Sequence, residues 1–461
     1  MRKFKYFALI VLLLTLVACG GDDDSTAAAD DPADDETEEV VDEATEDEEV
    51  EEENEVDYYQ TPEMDFDLGG DTITVVAWWD NEISGDSPDL IQAQENLAAL
   101  EEKHNFTMEF VMIDYMEYQE RVIASLIANE PIGDIVRLAK NYTVPALVQQ
   151  DLVWELDEWV NNEHAFNTRM TDELFTHEGS GYGFTDDHID HDMTGLFYNR
   201  TLMNELGLDA IQNYIDEDNW NWDTFKEVVA SANQDTDNDG NIDTWGLANR
   251  SVLPSALASN DAALTDGGQQ ALEYPETMEA MEFVASIGRE ALARPTEGGD
   301  WTEPRQFFQQ GNTLFYNGAY WETNDLMNDM PEYDIGFVPF PKGPNADDYR
   351  AYNDAVHAYA IPKVVDNPEQ LLYIWEKIYD IDSVYDYYGQ AVFEADLTNE
   401  DDINNIRGLT TNIVAFDHFA FPDLDYYALE HELAVEGTPV STVIETYAQS
   451  YQAAIDNVYG E

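Results

Sequence analysis

The chain has 461 residues and sets 99 Asp and Glu against 19 Lys and Arg, a formal charge of −80 at neutral pH. A surface of that sign repels phosphate backbones and anionic lipid headgroups, so it excludes a nucleic-acid partner and disfavours a strongly anionic ligand. The excess fits a salty habitat: at molar salt the Debye length falls to about 3 Å and self-repulsion is screened. It also strips single Asp or Glu residues of diagnostic value.

In chain order, Arg2, Lys3 and Lys5 precede an apolar run from Tyr6 to Val17. The run is too short to span a bilayer and reads as an export signal covering residues 1–18. It ends in Leu16-Val17-Ala18-Cys19, which resembles the bacterial lipoprotein box and implies a lipid on Cys19. Cys19 is the only cysteine, so no internal disulfide is possible. From Asp22 to Asp57 the chain is acidic and lacks Lys, Arg, Gly and aromatic residues. Such a stretch cannot bury enough apolar surface to offset its ordering entropy, and like charges at helical spacing argue against a helix. Residues 19–70 are therefore expected to be a lipidated, extended tether. The expected attachment to the membrane is through that lipid alone, on the extracytoplasmic side.

Folded character begins near Tyr58, which leaves about 400 residues, enough for two cores. Thr72–Trp79 is a β-branched and aromatic run that reads as a buried strand. Leu90–His104 carries apolar residues at helical spacing, Phe106–Ile113 reads as a strand, and Tyr118–Asn129 as a helix. Asp134–Leu138 is a further short strand, followed by a short helix through Val148. Alternation of this kind implies an α/β layered architecture with crossover helices.

Several stretches, in order, are similar to those of the family 1 extracellular solute-binding proteins, the group of the maltose-binding receptors. They begin with Trp78-Trp79-Asp80-Asn81-Glu82 at the end of the first strand. Ile127–Val136 resembles the family's turn before the third strand, with Ile132-Gly133 inserted between Pro131 and Asp134. Leu152–Trp159, then Gly181-Tyr182-Gly183-Phe184 leading to Leu196–Arg200, resemble the end of the first lobe and the passage into the second. Trp220–Phe225 matches a helix start, with Asp223 and Thr224 where caps belong. Phe307–Trp321 carries Asn312 where the family has Lys, and Asp334–Pro344 with Ala358–Lys363 completes the series. The resemblance implies a two-lobed α/β periplasmic-binding-protein fold of class II, with hinge crossovers and a ligand cleft between the lobes. It places residues 71–184 and 355–395 in the first lobe and 185–354 and 396–461 in the second. The implied function is capture of a carbohydrate, an oligosaccharide by preference, by a monomeric receptor that hands it to the permease of an ABC importer. No catalytic role and no obligatory cofactor are implied.

The resemblance nominates Trp79, Asp80, Asn81, Glu82, Asp187, His188, Asn249, Arg250, Trp321, Asn353 and Asp354 as ligand contacts. Sugars offer C–H faces to aromatic rings and hydroxyls to amides and carboxylates, so these residue types suit them. Trp321 is the leading candidate for a stacking face. Trp78 and Trp79 are adjacent in a strand, so at most one can face the core. His188 and His191 could share a helical face as metal ligands, although structural or solvated roles fit them better.

Asp235, Asp237, Asp239, Asn241 and Asp243 sit at the first, third, fifth, seventh and ninth positions of a Ca²⁺-loop pattern, with Gly240 at the sixth. Gly246 stands at the twelfth position, where an EF-hand requires a bidentate acid, so a complete EF-hand is excluded. A loop holding structural Ca²⁺ and a plain acidic turn fit the pattern equally well.

Two other functions suit the composition. A receptor for a polyamine, peptide or other cationic solute would exploit the acidic field and cation–π contacts. A secreted polysaccharide hydrolase would need two carboxylates facing each other across the cleft. No serine nucleophile elbow, His-Glu-x-x-His or phosphate loop occurs in the chain.

Overall fold

The computed structural model describes residues 61–160, 175–185, 192–250, 252–353, 356–381, 389–410, 412–421 and 423–459. The export signal, Cys19 and the acidic stretch to Asp57 lie outside them. So do Asp187, His188, His191 and Asp354. Among the described residues, no helix is long and apolar enough to cross a membrane.

The first lobe is built on a four-stranded sheet. β1 (Asp71–Ala77) pairs in parallel with β2 (Phe106–Met112) and with β3 (Ile135–Ala139), while His357–Ala360 runs antiparallel to β3. Between the strands lie α1 (Pro88–His104) and α2 (Tyr115–Ile127). Asp114 caps α2 by accepting the Met116 N–H, and Asn105 ends α1 in the left-handed conformation. Val75, Val76, Ile135 and Val136 are fully buried, as expected of central parallel strands covered on both faces.

Residues 61–68 belong to this lobe, which shortens the tether expected to reach residue 70. Met64, Phe66 and Leu68 alternate along an extended segment and pack on the first core. Phe66 stacks on His104 with ring centroids 4.0 Å apart, and the Thr61 N–H donates to Glu376 at 2.7 Å.

The second lobe carries a sheet in the order Ile335–Val338, Thr194–Asn199, Thr313–Ala319, Trp245–Ala248. Thr194–Asn199 is antiparallel to both neighbours, and Thr313–Ala319 is parallel to Trp245–Ala248. The helices Trp222–Ala232 and Pro275–Arg289 cover it with Trp222, Phe225, Phe283 and Val284. Trp220 is fully buried, and its indole N–H donates to the Pro339 carbonyl at 2.9 Å, which removes the penalty of a buried unpaired donor.

The chain changes lobes along two adjacent segments. Phe184 bridges Tyr359 and Met193 bridges Asn353, both antiparallel. The helix Pro368–Ile378 packs on α1 in the first lobe, but Phe393 of Gln390–Asp396 lies in the second-lobe core with Phe337 and Tyr320. The return to the second lobe therefore precedes Gln390, earlier than the expected boundary at 395–396. Arg200 secures the following segment, pairing with both Asp334 and the buried Asp402.

Candidate functional site

Parallel strands place their carboxyl ends at one edge of a sheet, where following loops can converge on a ligand. In the first lobe that edge is marked by His357, which pairs with Ala139 at the end of β3. In the second lobe it is marked by Thr194, which pairs with Ala319 at the end of Thr313–Ala319. His357 and Thr194 are also where the two crossovers enter their sheets. The carboxyl edges of both lobes thus flank the crossover segments, and the candidate site is assembled there.

On the first-lobe edge, Trp78 and Trp79 continue β1. Trp78 packs on the core through Tyr118, with ring centroids 5.2 Å apart, and lies 4.5 Å from the His357 ring. Trp79 stands outside that core, half-buried, with the Arg137 guanidinium 4.7 Å from its ring centroid. The expectation that only one of the two faces the core is met. Arg137 also lies over Tyr359 at 5.1 Å, so one cation orders several aromatic faces. His357 Nδ1 is 2.7 Å from Asp192, which fixes the ring. Asn81 donates weakly to the Tyr359 hydroxyl at 3.4 Å, and its buried Oδ1 has no hydrogen-bond partner among the described residues. Asp80 and Glu82 are exposed, and Asp80 accepts the Glu82 N–H.

On the second-lobe edge, Trp245–Ala248 runs into Asn249 and Arg250, and Thr313–Ala319 runs into the 3₁₀ turn Tyr320–Glu322. Tyr320 and Glu322 point inward and are buried, which turns Trp321 outward to 40% exposure. Glu322 is fully buried and accepts Arg250 Nη1 at 2.9 Å, the Tyr316 hydroxyl at 2.8 Å and the Ala319 N–H at 3.2 Å. Arg305 lies 3.7 Å from Oε2, the oxygen that also accepts the Tyr316 hydroxyl at 2.8 Å. Burial pushes the Glu322 carboxyl up, and Arg250, Tyr316, Ala319 and Arg305 oppose that shift. Arg250 in turn lies 5.3 Å from the ring centroid of Trp301, which is 59% exposed. The buried Oδ1 of Asn249 has no partner among the described residues.

The structure thus gathers Trp79 and Asn81 at one edge and Asn249, Arg250 and Trp321 at the other. Asn353 is buried in the crossover, and its backbone N–H donates to the Val414 carbonyl at 2.9 Å. Sequence reasoning missed Arg137, His357, Trp301 and Glu322. Trp301 follows Gly298-Gly299-Asp300, and a tryptophan in so polar a loop was the available signal.

The acidic loop lies elsewhere, between the helix Trp222–Ala232 and the strand Trp245–Ala248. Carboxylate oxygens of Asp235, Asp237 and Asp239 come within 4.8 Å of one another, so three of the five expected ligands converge. Asp243 instead accepts the Thr236 N–H at 2.7 Å and hydroxyl at 2.6 Å. Asn241 turns its amide nitrogen toward Asp239 at 2.9 Å. The twelfth position is glycine for a packing reason: a Cβ on Gly246 would stand 2.3 Å from the Val229 carbonyl oxygen.

The chain matches the family of bacterial extracellular solute-binding proteins over residues 86–377. Among solved structures it resembles the sugar-binding protein MalE from the phytopathogen Xanthomonas citri, with a TM-score of 0.62 at 14% identity over 84% of this chain and 98% of that one. A cyclo/maltodextrin-binding protein complexed with maltotetraose gives 0.61 at 15% identity, over 84% and 97%. UspC of M. tuberculosis gives 0.60 at 17% identity, over 83% and 100%. At these identities the likeness establishes the fold, the two-lobed periplasmic-binding type. No curated protein matches the sequence significantly.

Proposed function

The chain belongs to the bacterial extracellular solute-binding proteins, and from that premise we propose that it captures a neutral carbohydrate between its lobes and delivers it to an ABC importer. One observation carries the reading: each carboxyl edge joins a tryptophan, the half-buried Trp79 or the outward Trp321, to a buried asparagine oxygen, of Asn81 or Asn249, that lacks a partner among the described residues. Aromatic faces bind sugar C–H surfaces, and a dry carboxamide oxygen gains most when a ligand hydroxyl reaches it. The fold's similarity to structures named for sugar and maltodextrin binding supports the same class.

Arg137 and Arg250 stand among the aromatic rings, where they would repel a cation, so this arrangement disfavours a polyamine or basic peptide. The buried acid of the site, Glu322, is engaged by arginine and tyrosine, which supports a receptor over a hydrolase. Cys19 is proposed to hold a single copy of the receptor at the outer face of the cytoplasmic membrane through its lipid. In high salt, members of one saccharide series are expected to raise the melting temperature of the Cys19→Ala chain saturably, because a ligand that binds only the folded state stabilises it. Stabilisation by spermidine or basic peptides alone would overturn the ligand class, and retention of Cys19→Ala in the membrane fraction would overturn the anchor.

Asp235, Asp237 and Asp239 are proposed to hold a structural Ca²⁺. A rise in melting temperature with millimolar Ca²⁺ is expected, lost in Asp237→Asn. An equal response in that variant would assign the effect to general screening of the acidic surface.

A further inference from the structure

The two adjacent crossovers are joined by side chains as well as by backbone. On one, Asp192 precedes Met193, which bridges Asn353 and whose carbonyl accepts the Tyr320 N–H at 2.8 Å. Thr194, next in line, pairs with Ala319 at the end of its strand. Asp192 is thus rooted in the second lobe. On the other crossover, His357 pairs with Ala139, and the neighbouring Val356 carbonyl accepts the Lys140 N–H at 2.8 Å. His357 is thus rooted in the first lobe. The 2.7 Å contact between His357 Nδ1 and the Asp192 carboxylate therefore ties a residue of one lobe to a residue of the other. The two side chains are 10% and 18% exposed, so water competes weakly for the bond.

This link reaches both halves of the site. The His357 ring centroid lies 4.5 Å from that of Trp78, with the planes inclined by 58°. Trp78 meets Trp79 at 5.1 Å, and Arg137 stands 5.6 Å from the first ring and 4.7 Å from the second. On the other side, the Met193 carbonyl holds Tyr320, the residue before Trp321. Two consecutive crossover residues, Asp192 and Met193, thus bear on the aromatic groups of both carboxyl edges.

We propose that Asp192 and His357 are positioning residues, a link that sets the Trp78–Trp79–Arg137 cluster according to the orientation of the second lobe. Crossovers alone would let the lobes turn through φ and ψ changes at a few residues, with the side chains on each sheet undisturbed. A hydrogen bond between the crossovers survives such a turn only if His357 follows Asp192, and His357 bears on Trp78. Lobe orientation and the shape of the first-lobe edge are therefore coupled through an element that both share. The inference takes its site from the carbohydrate reading above, though the link itself is indifferent to the chemistry of the ligand.

The test uses the full Cys19→Ala chain in high salt, spin-labelled at Glu95→Cys in α1 and Glu445→Cys in the helix Val440–Tyr459, both exposed and one on each lobe. Double electron–electron resonance gives the distance distribution between the labels. Calorimetry gives the affinity for the tightest binder among maltose, maltotetraose, mannobiose and mannotriose. Asp192→Ala and His357→Phe should each broaden the ligand-free distribution and weaken saccharide binding about fivefold. Because both act through one bond, the double variant should bind no more weakly than the weaker single variant. Asp192→Asn keeps an acceptor oxygen of the same reach and should retain most of the native behaviour. Where Asp192→Ala does not fold, the contrast of Asp192→Asn with His357→Phe decides the same point. Native distributions in the single variants, unchanged affinity, or losses that multiply in the double variant overturn the link and leave the carbohydrate reading intact. A native chain that binds none of the saccharides overturns that reading, and the ligand-free distributions then decide the link by themselves.

Discussion

Trp321→Ala should weaken saccharide binding by about tenfold or more while leaving the melting temperature nearly unchanged. The asymmetry follows from how the turn is held. Tyr320 and Glu322 on either side are buried, the Tyr320 hydroxyl donates to Asp396 at 2.9 Å, and the Thr323 hydroxyl donates to the Tyr320 carbonyl at 2.6 Å. Removing the outward indole disturbs none of these bonds. It deletes a ring that is 40% exposed and neighbours Trp301, which is itself exposed. Tenfold corresponds to about 1.4 kcal/mol, a modest value for a stacked aromatic contact. Calorimetric titration with the best saccharide measures it, and an unaltered affinity would remove Trp321 from the site.

Glu322→Ala should have the opposite profile, lowering stability by about 3–5 kcal/mol, the range for breaking a buried ion pair by removing one partner. Arg250 and Arg305 would lose their shared counter-ion, and the buried Tyr316 hydroxyl would lose both contacts with the carboxylate. Arg250 would also be released from its position over Trp301, so tryptophan fluorescence should change even where the variant is still folded. Glu322→Gln keeps hydrogen-bonding capacity for the tyrosine and the backbone while losing the charge, so it should fall between the two. Urea unfolding with fluorescence detection separates these cases. A Glu322→Ala variant as stable as the native chain would show that the arginines find other partners.

Both residues stand side by side, yet the sequence singled out one as a candidate and passed over the other. Trp321 follows an apolar strand and sits in a recognisable order of motifs. Glu322 is one acid among 99, and its role depends on Arg250, 72 positions away. The same division runs through the molecule. β1, β2 and β3, with α1 and α2 between them, were readable because their periodicities are local and their hydrogen bonds close within short stretches or between neighbouring runs. The acidic turn after Trp222–Ala232 is local in the same sense, and the carboxylates of Asp235, Asp237 and Asp239 lie close together in it.

By itself, then, the sequence determined the α/β class, the two cores, the acidic field and the motif order that names the family. Only the tertiary structure decided which side chains share a site. It brought Arg137 to Trp79, buried Asn353 in the crossover, drew residues 61–68 onto the first lobe and set Trp301 beside Trp321. These outcomes depend on the packing of segments tens to hundreds of residues apart, where burial and cation–π contact are properties of the assembled chain. A local pattern can state that a residue is aromatic or acidic; the neighbours that give it a function arrive from elsewhere in the fold.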